Sequence, residues 1–224
     1  MTDWRDLGEA VVCYPDGEST AARFAMTADR IGYGGIVLRN GLNINDEPTV
    51  DSISEEFDLP VFAGTELSPE TPDSVSGRLP HLREQTPMLL VAGGTEELNR
   101  FISAQPHVDV MSDPIGPNGP DLDPGIATQA RESDVAIEVN LAPLRGSGGE
   151  RVRYLDRLRR LWRVIEHYEA PYVISMSPTS HLELVAPREI AALGELVGID
   201  ETEVRHGLSN WLEIASGNRH DLNV

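Results

Sequence analysis

Seven short runs rich in Val, Ile, Leu and Ala alternate with segments of helical periodicity along nearly the whole chain, and this rhythm limits the fold more than any other feature. The runs are 10–14, 35–39, 60–64, 88–92, 108–111, 135–140 and 172–176, and helical patterns fill 20–31, 52–57, 95–104, 125–133, 149–168, 187–197 and 201–216. Strand followed by helix, repeated, predicts a parallel sheet covered by helices. An open doubly wound sheet and a closed barrel both satisfy that alternation. Seven βα units at intervals of about 25 to 35 residues, with no domain-splitting linker, favour the barrel. The expected fold is α/β: a single TIM-barrel-like (β/α)7–8 domain over residues 1–224, with a flexible tail at 217–224. Start signals agree with the helices: Thr95 before Glu96 and Glu97, and Asp200 before Glu201 and Glu203, can cap helix N-termini and set carboxylates against the positive dipole end. The Pro/Gly-rich stretch from Asp113 to Pro120 reads as a loop.

Charge narrows the chemistry. The 224 residues carry 18 basic and 37 acidic side chains, a net charge of −19, and every basic residue is Arg. Without a lysine amine there can be no Schiff-base aldolase, no pyridoxal-phosphate enzyme and no Walker-type phosphate loop. Acid excess in a chain that keeps clear apolar periodicity predicts a protein for concentrated salt, where self-repulsion is screened within roughly 3 Å at 1 M. No apolar run reaches the roughly 18 residues needed to span a bilayer, and Met1 to Glu9 has no apolar leader region, so a cytoplasmic protein without membrane contact is expected. The one cysteine, Cys13, lies in the apolar run Ala10-Val11-Val12-Cys13 and reads as core.

In a βα barrel the chemistry collects where strands end, which directs attention to Tyr14-Pro15-Asp16-Gly17, Arg39-Asn40-Gly41, Thr65-Glu66, Ser112-Asp113, Asn140 and the stretch from Ser175 to His181. Two carboxylates stand out, Glu66 just beyond a strand and Glu138 within one. A buried acid there is either a ligand-facing group or one partnered by a barrel arginine such as Arg39. His181, in the polar loop Ser177-Pro178-Thr179-Ser180-His181, either fixes that loop or meets a ligand.

One basic island interrupts the acidic background: residues 145–163 hold seven arginines against Glu150 and Asp156, a local net charge of +5. It begins with the loop Arg145-Gly146-Ser147-Gly148-Gly149-Glu150-Arg151, which runs into a helix N-terminus where free amides and guanidinium groups can hold a phosphate. Along the helix, Val152, Leu155, Leu158, Trp162 and Ile165 form the expected buried side, so the arginines face outward, with Arg153, Arg157 and Arg160 in one stripe. Such a stripe is either a solvated face paired with acids such as Glu166 and Glu169 or a binding face. In molar salt, counterion release is a weak driving force, which favours placed guanidinium forks over a diffuse positive field.

The segments Gly64-Thr65-Glu66, Val108 to Pro114, Ile137-Glu138-Val139-Asn140 and Ile174 to His181 resemble the PHP superfamily of metal-dependent phosphoesterases. More closely, Tyr14 to Gly17, Val37 to Asn40, Leu144 to Arg151, Tyr172 to Ser177 and Ala186 to Ile190 resemble the archaeal ribonuclease P protein component 3 family, which shares that barrel without its catalysis. The chain departs from the metalloenzyme pattern: Cys13-Tyr14-Pro15 stands where a His-x-His pair is expected, and Asp113-Pro114 where a His-Pro is. Glu66, Asp113, Glu138 and His181 are then vestigial metal-site positions.

The resemblance implies a ribonuclease P subunit that helps remove the 5′ leader from precursor tRNA. In that setting the RNA subunit and its Mg²⁺ perform the hydrolysis, while this chain binds no cofactor and contributes no catalytic residue. Its implied partners are the ribonuclease P RNA, protein component 2, other ribonuclease P proteins and precursor tRNA. Candidate RNA contacts are Arg39, Arg145, Gly148, Gly149, Arg151, Arg157, His181 and Arg188. The competing expectations are a stand-alone PHP-type phosphoesterase with a reduced metal site, and a barrel enzyme holding a sugar phosphate at Ser147-Gly148-Gly149.

Overall fold

A buried parallel strand must be apolar on both faces, and the first two strands are buried at every position. The computed structural model describes residues 5–41, 49–116, 119–120 and 122–222. In chain order the elements are β1 (Gly8–Val11), α1 (Ala21–Ile31), β2 (Gly35–Leu38), α2 (Val50–Phe57), β3 (Val61–Leu67), α3 (Leu79–Arg83), β4 (Met88–Ala92), α4 (Glu96–Ser103) and β5 (Val110–Ser112). There follow β6 (Ile115–Gly116), β7 (Gly119–Pro120), α5 (Pro124–Glu132), β8 (Ala136–Asn140), α6 (Gly148–Tyr168), β9 (Tyr172–Ser175), α7 (Pro187–Val197) and α8 (Glu201–Leu222). Seven strands form one parallel sheet in the order β1-β2-β3-β4-β5-β8-β9, with β6 and β7 a small antiparallel pair beside it. The sheet curls into a nearly closed TIM-barrel-like fold.

Period-two alternation sorts the strand residues into two cores. Ala10, Val37, Phe62, Leu90, Val110, Ala136 and Val173 point into the barrel. Val11, Ile36, Leu38, Leu89, Met111, Ile137 and Ile174 pack outward against the helices. The inner core is sealed by α8, whose Trp211 is fully buried and donates from Nε1 to the Ile174 carbonyl at 2.8 Å. Gly8 and Gly35 make room for this helix: a Cβ on either would lie 2.7 or 2.8 Å from Leu212 Cδ2.

Between β9 and β1 the barrel closes without a strand ladder among the described residues. The Val12 amide donates to the Pro178 carbonyl at 3.0 Å. The carboxylate of Glu9, itself fully buried, accepts the Met176 amide at 3.0 and 3.2 Å. Burial pushes the Glu9 carboxyl up to about 8, against the lowering effect of the Met176 and Ala10 amides.

The expected caps are present: Thr95 accepts the Leu98 amide at 3.2 Å, and Asp200 and Glu203 exchange side-chain-to-amide bonds of 2.8 and 2.9 Å. Four expectations are corrected. β3 continues through Leu67, so Glu66 lies within a strand and not beyond it. Part of the Asp113–Pro120 stretch forms the β6–β7 pair. Val152 is 66 % exposed and Leu155 only partly buried, and full burial on α6 begins at Leu158 with Leu161, Trp162 and Ile165. The last helix runs on through the segment expected as a tail, with Asn218 donating to Asp109 Oδ1 at 2.9 Å, while 223 and 224 lie outside the described residues.

Candidate functional site

Alternation along the strands brings Arg39, Glu66, Ser112, Glu138 and Ser175 to the inner face at the C-terminal end of the barrel. Arg39 directly follows β2, its amide bonded to the Val11 carbonyl at 2.8 Å. Its guanidinium is 2 % exposed and lies between two carboxylates. Nε and Nη2 donate to Glu66 at 2.9 and 2.6 Å, and Nη1 and Nη2 to Glu138 at 2.7 and 3.0 Å. A further Nη1 bond reaches Ser177 Oγ at 3.0 Å. All five guanidinium N–H donors are therefore used. Ser112 donates to Glu66 and Ser175 to Glu138. Burial alone would push the Glu138 carboxyl up, yet Arg39 and these hydrogen bonds hold it below its ordinary value.

This arrangement realises the reading of Glu138 as an acid partnered by Arg39. It also corrects the expectation of Arg39 as an RNA contact, since a buried and saturated fork presents nothing to a ligand. Asp113, just beyond β5 with φ +44°, stands at the rim, its amide 3.3 Å from Glu138 Oε2 and its carboxyl near enough to feel the Glu138 charge. Its carboxyl is pushed up to about 6, first by desolvation and then by the negative charge of Glu138. His181 is held by the loop after β1: its Nδ1 lies 2.8 Å from Ser19 Oγ, and its amide donates to the same oxygen at 3.0 Å. The expected vestigial set thus separates into a Glu66–Arg39–Glu138 centre, a rim aspartate and a loop-fixing histidine. Among the described residues no three His, Cys, Asp or Glu side chains converge to hold a metal ion. Cys13 is buried, bonded through its amide and thiol to Asn40, and its thiol is pushed up to about 11 by burial.

The basic island builds a different site. At the start of α6, Gly148 has φ +73°, with no atom within 4 Å of where a Cβ would stand, and Ser147 makes no side-chain cap. The first-turn amides are thus left for an external acceptor. Arg151, Arg153 and Arg157, with Ser147, Glu150 and Tyr154, line a groove of about 490 Å³. The groove is braced from below. Arg151 Nε donates to the Leu144 carbonyl at 2.6 Å, Tyr154 Oη to the Asn140 carbonyl at 2.9 Å, and Arg157 Nη1 to the Gly116 carbonyl at 3.1 Å. Arg153 is exposed and makes no side-chain hydrogen bond or ion pair among the described residues. Farther along the helix the stripe is internally satisfied: Arg160 pairs with Asp156 at 2.6 Å, and Arg163 donates to the Arg159 carbonyl at 3.2 Å. Arg160 is thus paired along its own helix, with Asp156 and not with Glu166 or Glu169, while Arg153 keeps its guanidinium exposed.

Arg145 sits beside this groove, donating to the Glu183 carbonyl at 3.1 Å, and Arg188 lies apart from it at the start of α7. Sequence reasoning placed Arg153 in the outward stripe but not among the RNA contacts, and it missed Tyr154 in the groove and Glu9 in the seam. The signal for Glu9 was a lone acid beside the apolar run that begins at Ala10.

The sequence model of the family described as RNase P subunit p30 matches residues 7–221. Ribonuclease P protein component 3 of Haloarcula marismortui is 41% identical over 212 residues, covering 94% of this chain and 90% of the relative. The Halobacterium salinarum protein of that name is 39% identical over 217 residues, covering 96% and 92%, and the Methanosarcina barkeri protein 33% identical over 198 residues, covering 87% and 82%. A chain in the cryo-EM structure of archaeal ribonuclease P with mature tRNA has the same fold, with a TM-score of 0.83 at 20% identity, covering 97% of this chain and 93% of that one. The fold also resembles a histidinol phosphate phosphatase from Lactococcus lactis, with a TM-score of 0.57 at 10% identity, covering 86% and 93%.

Proposed function

Because the chain belongs to the RNase P subunit p30 family, we propose that it serves ribonuclease P by binding and organising the catalytic RNA during removal of the 5′ leader from precursor tRNA. The observation that carries this reading is the braced groove at the start of α6, where Arg151, Arg153, Arg157 and uncapped helix amides face one cavity. Bidentate guanidinium contacts and aligned amides recognise phosphate oxygens by placement, which suits binding in concentrated salt. RNA contacts are assigned to Arg145, Gly148, Gly149, Arg151, Arg153 and Arg157. Protein component 2 is the partner in this reading, and the cytoplasm the compartment. No helix among the described residues is long and apolar enough to cross a membrane.

The chain itself performs no hydrolysis in this reading and holds no metal of its own, and the Mg²⁺ ions belong to the RNA. The residues at the barrel mouth do not fit a metal cluster: a fixed cation, the Arg39 guanidinium, already engages all four oxygens of Glu66 and Glu138. A metal there would have to displace a buried, saturated arginine. The same geometry argues against a free-standing phosphoesterase.

The test is cleavage of precursor tRNA in molar salt at limiting Mg²⁺, by the RNA subunit with protein component 2, with and without this chain. Stimulation that requires all parts, and that falls with R153A/R157A, is the expected result. Phosphoester hydrolysis by this chain alone, or no effect in the mixture, overturns the reading.

A further inference from the structure

A second groove, of about 530 Å³, opens where α1 ends and α7 begins, lined by Arg30, Gly32, Leu184, Pro187, Arg188 and Glu189 among others. Arg30 and Arg188 are exposed, and neither makes an ion pair or side-chain hydrogen bond among the described residues. In a chain with twice as many acids as arginines, that isolation is informative. Several exposed guanidinium groups are taken, Arg100 by Glu96 and Asp123, both at 2.7 Å, Arg131 by Glu169 at 3.5 Å, and Arg159 by the Leu196 carbonyl at 2.7 Å, whereas Arg78 and Arg153 share the isolation of Arg30 and Arg188. Arg23, equally exposed and unpartnered, lies two turns before Arg30 on the same face of α1, roughly 10 Å along the axis.

The surroundings suit a phosphodiester. No side chain caps α7, which starts with Pro187 after Ala186, and its positive dipole end faces the groove. Glu189, the one carboxylate of the lining, occupies the first turn of that helix, where the same dipole offsets its charge. Gly32, at φ +97° with nothing within 4 Å of its Cβ position, leaves the floor open. The cavity is larger than a single carboxylate fills, and Ile31, Leu184 and Pro187 give it an apolar wall that matches a ribose or the face of a base.

Continuity favours an extended polyanion over a peptide side chain. Arg145, beside the α6 groove, donates to the carbonyl of Glu183, the residue before Leu184 in the wall of this one. Arg145 therefore ties the segment bordering the α6 groove to the one bordering the α1–α7 groove, with the Glu183 carboxylate also close to it. We propose that the α1–α7 groove is a second RNA backbone site, which receives the same RNA after it has crossed the α6 groove. This inference rests on the reading of the chain as an RNA-organising subunit.

The experiment measures the affinity of the full chain, with protein component 2, for a ribonuclease P RNA transcript across a salt series. R30A/R188A is expected to weaken binding about tenfold, the scale of charge-assisted hydrogen bonds. It should also make log K less steep against log salt by roughly 1.4 to 1.8, two phosphates at 0.7 to 0.9 each. R30K/R188K should restore the slope but only part of the affinity, since a point charge replaces a fork. Unchanged affinity and slope in R30A/R188A, with weakened binding in R153A/R157A, overturns the second site and leaves the proposed function standing. Unchanged binding in both pairs overturns both. Loss of protein component 2 in the absence of RNA, with RNA affinity intact, assigns the groove to a protein and also overturns it.

Discussion

Replacing Arg39 by Met tests the architecture of the barrel mouth at its centre. The substitution keeps most of the apolar stem but removes the cation from between Glu66 and Glu138. Glu66, with a side chain 20 % exposed, can regain water, whereas Glu138, at 0 %, cannot. The cost therefore falls on Glu138. Stripping one partner from a buried ion pair costs about 3–5 kcal/mol, and since Ser175 and the Asp113 amide still donate to Glu138, the lower part of that range is expected. For a chain of this length, about 3 kcal/mol corresponds to a fall in Tm of roughly 6 to 12 °C.

The sign of the pH dependence must also change. In the native protein Glu138 titrates below 4.5, so its contribution is present above pH 4.5 and lost as pH falls through the folded value. In R39M the carboxyl is buried without its cation and its folded value rises, so the penalty shrinks as pH falls. Neutralising both acids, as in R39M/E66Q/E138Q, should recover much of the loss, because buried ion clusters are often replaceable by neutral groups at little cost. Thermal and urea denaturation at fixed salt and several pH values read this directly. A loss below about 1 kcal/mol in R39M, or a triple variant less stable than the single one, would refute the argument. RNA affinity per folded molecule should be unchanged in R39M, since Arg39 presents no free donor.

Other expectations concern the seam, the plug and the groove. Glu9 titrates at about 8 when folded against 4.5 in the reference state, so its stabilising contribution is fully present below pH 4.5 and is lost as pH rises through 8. E9Q should flatten the decline in urea midpoint between pH 5 and 9, and parallel curves for the two proteins would count against the seam assignment. Trp211→Ala should cost about 3–5 kcal/mol by emptying the base of the barrel. Gly35→Ala should cost about 1–3 kcal/mol in thermal melts, because the new methyl meets Leu212 and the Pro60 carbonyl. E138Q should leave leader removal in the reconstituted ribonucleoprotein intact, and a large drop in cleavage per folded molecule would place Glu138 in the chemistry.

The barrel and its order were legible because parallel strands buried on both faces leave long apolar runs, and the helices between them carry their own caps. The pairing of Glu138 with Arg39 was one of two readings open on sequence alone, since a carboxylate inside an apolar strand must either face a ligand or find a cation. Glu66 was misplaced because Gly64 looks like a strand end, whereas continuing the alternation Phe62, Gly64, Glu66 would have put it inside. Val152 shows the limit of helical periodicity: the repeat identifies a face but not the point where the neighbouring surface stops. Arg188 was singled out only through the resemblance, and Arg30 carries no local signal at all. Each is a single arginine on an acidic background, and only the descent of the chain after β9 brings α7 against the end of α1.

The closure of the barrel by α8 has a consequence for synthesis. Gly8 and Gly35 lie in the first two strands, whereas the residues that cover them, Trp211 and Leu212, belong to α8 and are made long after them. A nascent chain can build helices and adjacent strands as it emerges, since each βα unit is local. It cannot seal its interior until α8 has emerged. The early strands thus keep an open apolar lumen until α8 has been made, so this barrel should become protease-resistant only once that helix can fold onto it, and any truncation that removes Trp211 should yield a chain held by chaperones instead of a shortened barrel.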